Sequence, residues 1–170
     1  MKKYVLLCLF ISITLSASAQ DIIVSFLEKH GKDDNLEIVT IGKKMIETIC
    51  ALSSDYPELT KAIKGVEMIR IVSSKDKDLS KEYYHSAQKL LSKSKGLEEL
   101  FSMSEEGKEL IVMTGKSKGT IKELLLLSEQ PDGFNLISIS GTIHLDDLLN
   151  YSEGLNIKEL DELRSVKRNQ

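Results

Sequence analysis

Apolar residues along the chain recur with two periods, one helical and one strand-like, and the switches between them mark out elements. Ile22, Ile23, Phe26 and Leu27 follow helical spacing and stop at Gly31, which predicts a short first helix. From Asn35 to Gly42 the texture turns to strand, with Leu36, Ile38, Val39 and Ile41 around Thr40. Met45, Ile46, Ile49, Cys50 and Leu52 return to the i, i+3, i+4, i+7 pattern, giving a second helix that ends before Pro57 and carries Cys50 on its apolar side. Gly65 punctuates the entry to Val66–Val72, a strand apolar on both faces and therefore expected inside the sheet. Strand, helix and strand in that order read as a right-handed βαβ crossover between Leu36 and Val72. A third helix is predicted from Leu79 to Lys95, with Tyr83, Tyr84, Ala87, Leu90 and Leu91 on its apolar face.

After Gly96 the pattern becomes strands joined by short turns. Leu97–Met103 and Glu109–Thr114 flank Glu105-Glu106-Gly107, where Gly107 supplies the positive φ of a turn. Gly115-Lys116-Ser117-Lys118-Gly119 reads as the next turn, Ile121–Ser128 as a strand, and Gln130-Pro131-Asp132-Gly133 as the turn into Phe134–Ser140. Glu98-Glu99-Leu100 and Lys122-Glu123-Leu124 would also suit helices. Leu145, Leu148 and Leu149 mark a short helix capped by Asp146 or Asp147, and Ile157, Leu160, Leu163 and Val166 a final amphipathic one, with Lys167–Gln170 as a frayed tail. The expected fold is α+β: a single mixed, mostly antiparallel sheet, made of a βαβ unit followed by an antiparallel meander, with helices packed on one face.

The first residues change the picture. Lys2 and Lys3, an apolar run from Tyr4 to Leu15, and Ser16-Ala17-Ser18-Ala19 have the layout of a secretory signal peptide, so residues 1–19 are expected to be removed, leaving 20–170 as one exported domain. The apolar run is shorter than the roughly 20 residues a spanning helix needs. Cleavage there removes Cys8 and leaves Cys50 as the one cysteine, so no intramolecular disulfide is expected. The chain carries 23 basic and 26 acidic residues. Losing Lys2 and Lys3 moves the net charge to about −5, and with no basic cluster a nucleic acid or an anionic membrane is an unfavourable partner.

Candidate chemistry is sparse. Gly115-Lys116-Ser117 resembles the end of a phosphate-binding loop, but Leu110 stands where that loop needs its earlier glycine and a strand follows in place of a helix. Cys50 has no basic or histidine neighbour in sequence to activate its thiol. His30, His85 and His144 are far apart and form no metal-binding pair on one helix, so no metal or cofactor is expected. His144-Leu145-Asp146-Asp147 is the one cluster of histidine with carboxylates, and it also fits a strand exit followed by an acidic helix N-terminus. No G-x-S-x-G elbow occurs; Ser138 and Ser140 alternate with Ile137 and Ile139 as an outward or half-buried strand face. The absence of Trp argues against a sugar-stacking platform.

Taken together, Phe26-x(4)-Gly31-Lys32, Val39-Thr40-Ile41-Gly42-Lys43-Lys44-Met45, Ile63-Lys64-Gly65-Val66 through Ile71, Gly107, Lys122-Glu123-Leu124, and Gly133-Phe134-x-Leu136-Ile137-Ser138-Ile139-Ser140-Gly141 form a familiar series. It resembles the exported Bacteroidetes family known as domain of unknown function 4252, over nearly the whole of residues 20–170. The resemblance implies a periplasmic or surface-associated protein with no assigned activity or catalytic residues. It also implies an envelope-signalling setting, since some members are encoded beside extracytoplasmic sigma and anti-sigma factors. The leading expectation is a non-enzymatic module that binds a protein or peptide in the envelope through a free sheet edge. Its rivals are a hydrolase using His144 with Asp146 or Asp147, or Cys50 with a distant histidine, and a carrier with an apolar cavity for a small ligand or lipid. Partner identity, strand order and oligomeric state are left open.

Overall fold

The structure, a computed structural model, describes residues 19–105 and 107–168. The expected leader lies outside them except for Ala19, which opens helix α1 (Ala19–His30). The strands are β1 (Glu37–Gly42), β2 (Val66–Ser74), β3 (Glu98–Glu105), β4 (Lys108–Ser117), β5 (Thr120–Gln130) and β6 (Gly133–Ile143). They form one sheet in the order β1-β2-β6-β5-β4-β3, and every neighbouring pair is antiparallel. The α+β class and the meander from Gly96 onward are as expected, with Gly107 at φ 75° in the β3–β4 turn.

Two features of the expected architecture are corrected. The first is the βαβ unit. Between β1 and β2 the chain forms α2 (Lys43–Leu52), which ends before Pro57 as expected, and then a further helix α3 (Pro57–Ile63), which the apolar pattern does not mark and which Pro57 starts. One helix would return the chain to the starting end of β1 and make β2 parallel. A second helix carries it forward again, so β2 enters from the far end and pairs antiparallel from Glu37↔Ser73 to Gly42↔Met68.

The second correction concerns the helices, which cover both faces. Leu124, Leu125, Leu126 and Leu127 of β5 are all fully buried, and alternate residues point to opposite faces. Leu125 and Leu127 pack with Ile22, Ile23 and Phe26 of α1 and with Tyr83, Ala87 and Leu91 of α4 (Lys77–Leu91). Leu124 and Leu126 pack with Ile46 of α2, Ala62 and Ile63 of α3, Leu148 and Leu149 of α5 (Leu145–Asn150), and Leu160 and Leu163 of α7 (Lys158–Arg168). A short α6 (Ser152–Leu155) links α5 to α7. Burial of each such leucine contributes on the order of 2 kcal/mol. Ser138 lies under the α1/α4 side at 6 % exposure and is therefore buried, where an outward or half-buried position had been expected.

Local signals set the element ends. Asp76 caps α4, its side chain accepting from the backbone N–H of Asp78 at 3.0 Å and of Leu79 at 3.2 Å. Gly141, at φ 132°, sits where β6 shifts register against both β2 and β5. A Cβ there would lie 2.3 Å from the Gly65 carbonyl oxygen, so no other residue fits. Lys167 and Arg168, expected to fray, complete α7.

Candidate functional site

The phosphate-loop fragment is strand. Gly115, Lys116 and Ser117 belong to β4, with a register shift at Gly115–Lys116, and the turn is reduced to Lys118-Gly119, both at positive φ. No helix follows, and β5 begins at Thr120.

His144, Asp146 and Asp147 come together at the start of α5, on an open concavity of about 510 Å³ shared with Gly119, Thr120 and Ile121. His144 occupies the N-cap position without a side-chain cap bond, so neither Asp146 nor Asp147 caps the helix; both lie in its first turn. Asp147 pairs with Lys61 of α3 at 2.7 Å, a bond that raises the Lys61 pKa. Asp146 pairs with Lys167 of α7. Among the described residues no hydrogen bond joins His144 to either carboxylate. The two aspartates thus tie α3 and α7 to α5, and neither orients the imidazole as a general base requires. Cys50 is half-buried on α2 and lines a separate concavity of about 310 Å³ with Lys43, Glu47, Lys64 and Glu67; no histidine lines it.

Two polar clusters escaped the sequence reading. Glu159, in the first turn of α7, is 2 % exposed, and its Oε1 accepts from Ser128 Oγ at 2.6 Å and Asn135 Nδ2 at 2.9 Å. It borders a concavity of about 340 Å³ with Ile71, Ile137 and Asn156, at whose rim Lys158 pairs with Asp132 at 2.5 Å and holds that carboxyl below the usual carboxylate range. A buried carboxylate is tolerated when donors satisfy it. These bonds fasten α7 onto β5 and β6. The signal for Glu159 was its place four residues before Leu163, on the apolar stripe of the helix.

The second cluster joins α1 to α4. His30 Nε2 lies 2.9 Å from Ser86 Oγ, and its ring packs against Phe26 and Tyr83. Burial lowers the His30 pKa and the Lys29 ammonium lowers it further, against the opposing pull of Glu82 and Asp33. Lys29 Nζ also donates to Ser86 Oγ at 3.0 Å, and the Ser86 hydroxyl has a proton to offer a neutral imidazole. Asp33 accepts from the Tyr83 hydroxyl and not from His30, a bond that holds its carboxyl low, while burial chiefly pushes the Tyr83 phenol well above its ordinary value. A serine–histidine contact exists here, but the aspartate needed to orient the histidine is committed to Tyr83. None of the concavities above is lined by Ser86 or His30.

The two edges of the sheet differ. β3, at one end, carries Glu98, Glu99 and Glu105 and breaks register with β4 between Glu99 and Phe101. Charges and a bulge are the usual protection against strand addition. β1, at the other end, runs six residues in unbroken register with β2, and its one charged residue is Glu37. Glu37 through Thr40 are all exposed, with Ile38 at 47 % and Val39 at 48 %. Ile38 lies opposite Val72, on the α1/α4 side, and Val39 opposite Ile71, so apolar surface is presented above and below the same free edge.

Among the described residues no group of three or more His, Cys, Asp or Glu side chains is placed to hold a metal ion, and no helix is long and apolar enough to cross a membrane. The family model described as Domain of unknown function (DUF4252) matches residues 28–151, a span that contains all six strands and ends before α6. Neither a curated protein nor a solved structure matches the chain.

Proposed function

The chain belongs to the family of the domain of unknown function DUF4252, a membership that assigns no chemistry, and from its surface we propose an exported, non-enzymatic interaction module that docks an extended segment of another polypeptide on the free edge of β1. The observation that carries this reading is the contrast between the protected β3 edge and the open β1 edge. An added strand would satisfy the outward N–H and C=O groups of β1, each bond contributing about 1 kcal/mol net. Ile38 and Val39 would supply side-chain selectivity, one on each face. The export component rests on Lys2, Lys3, the apolar run and Ala17-Ser18-Ala19, and it places the mature start at Gln20.

The test is site-specific photocrosslinking in the exporting cell, with a photoreactive residue at Val39 and, as control, at Glu99 on the opposite edge. A discrete adduct from Val39 and none from Glu99 is expected, together with a mature N-terminus at Gln20 by mass spectrometry. Equal labelling from both positions, or none from either, would overturn the docking reading. Retention of Met1 would overturn the export reading.

A further inference from the structure

We propose that the segment docked on β1 is β1 of a second copy, paired antiparallel about a twofold axis at Thr40 so that two sheets become one. This rests on the reading of β1 as a docking edge and names its occupant.

Three observations on this strand point to a second copy. Charge is divided across its two ends: Glu37 opens the strand after Lys32, Asp33 and Asp34 of the preceding loop, Lys43 and Lys44 follow it in the first turn of α2, and Glu37 and both of these lysines are exposed. Antiparallel self-pairing sets the acidic end of each copy against the basic end of the other. Pairing with β3 of another copy would instead bring Glu37 to a strand whose charged residues, Glu98, Glu99 and Glu105, are all acidic, and would leave a new edge open at each step. A twofold contact closes on itself.

The register follows from the alternation of faces, because a twofold axis through a continuous sheet must pass at a residue. With Thr40 on the axis, Val39 faces Ile41 on one side of the sheet and Ile38 faces Gly42 on the other. Glu37 comes opposite the point just past the strand where Lys43 begins α2. Placing the axis at Val39 sets Glu37 against Ile41, and placing it at Ile41 carries Glu37 and Val39 past the end of the facing strand, against the first turn of α2. The Thr40 register alone among these gives the charged residue an opposite charge and the apolar one an apolar neighbour.

Gly42 adds an independent point. Its φ of −89° is open to any residue, and a Cβ built on it meets nothing within 4 Å, so neither backbone nor packing in one copy requires glycine. In the dimer it stands opposite Ile38, where the missing side chain leaves room. The existing partner of Glu37 is Lys75 at 3.7 Å, an exposed and weak pair that can be exchanged.

The experiment is sedimentation equilibrium of the protein purified from exporting cells, for the natural chain, Thr40→Lys, Glu37→Lys and Glu37→Lys/Lys43→Glu. The natural chain is expected to dimerise. T40K sets two like charges directly opposite each other and is expected to weaken the dimer by about fivefold or more, with circular dichroism unchanged. E37K alone is expected to weaken it, and adding K43E to restore it. A natural chain that stays monomeric to about 100 μM overturns the proposal, as does a dimer indifferent to T40K and to the charge exchange. If the chain is monomeric while Val39 still crosslinks to a different protein, the docking edge stands and the second copy falls; if Val39 crosslinks to nothing, both fall.

Discussion

The surroundings of His30 disfavour its charged form: burial against Phe26 and Tyr83 first, and then the neighbouring Lys29 ammonium, lower its pKa. Its folded pKa is therefore below the unfolded value of about 6.5, so the unfolded chain takes up the proton first as pH falls. The stability it contributes is complete above about pH 6.5 and declines below it, down through the folded pKa. Replacing His30 with Phe removes this dependence. The stability difference between the natural chain and His30→Phe, measured by urea denaturation, should move in favour of the variant between pH 7.5 and 5.5. A difference independent of pH would contradict the account. At this scale the sequence was informative about what residues are not: the missing glycine ruled out a phosphate loop, although Gly115–Ser117, expected in a turn, extend β4. It was silent about His30 and Ser86, which stand 56 positions apart in the chain and meet only because α1 packs on α4.

Between elements, the docking of α7 depends on Glu159. Truncation to Ala leaves Ser128 Oγ and Asn135 Nδ2 without their acceptor in a buried place, and should cost about 2 kcal/mol. Glu159→Gln keeps a carbonyl acceptor and should cost less. Chemical denaturation measures both, and a loss within the ±0.5 kcal/mol of an ordinary surface change for Glu159→Ala would contradict the assignment. The helical stripe of α7 was legible, yet a glutamate on it reads as an interruption until its partners on β5 and β6 are known. The direction of β2 shows a different limit. Strand positions from Leu36 to Val72 were recognisable from their period, but direction depends on how many helices intervene. The seven-residue α3, opening on Pro57, has too few turns for periodicity to reveal it.

For the whole molecule, the four consecutive buried leucines of β5 determine the layering. A strand apolar on both faces needs cover on both, so the helices divide between the two sides, a consequence already present in the sequence run Leu124–Leu127. The sheet then has two edges to manage and protects only one. Sequence could mark β1 as a strand, but its edge position follows from strand order, which depends on contacts between distant segments. Interior strands have neighbours on both sides, and an edge strand keeps its outward amides in water unless another strand covers them.

The most direct test of the account is therefore amide hydrogen exchange, followed by mass spectrometry, on the protein isolated from exporting cells without dissociating its complexes. Peptides from β1, residues 37–42, are compared with peptides from β3, residues 98–105. Occupation of the β1 edge predicts slow exchange at both its inward and outward amides, with β3 keeping a fast-exchanging outward set. Outward amides of β1 exchanging as fast as those of β3 would mean that the open edge is unoccupied and that the interaction reading is wrong.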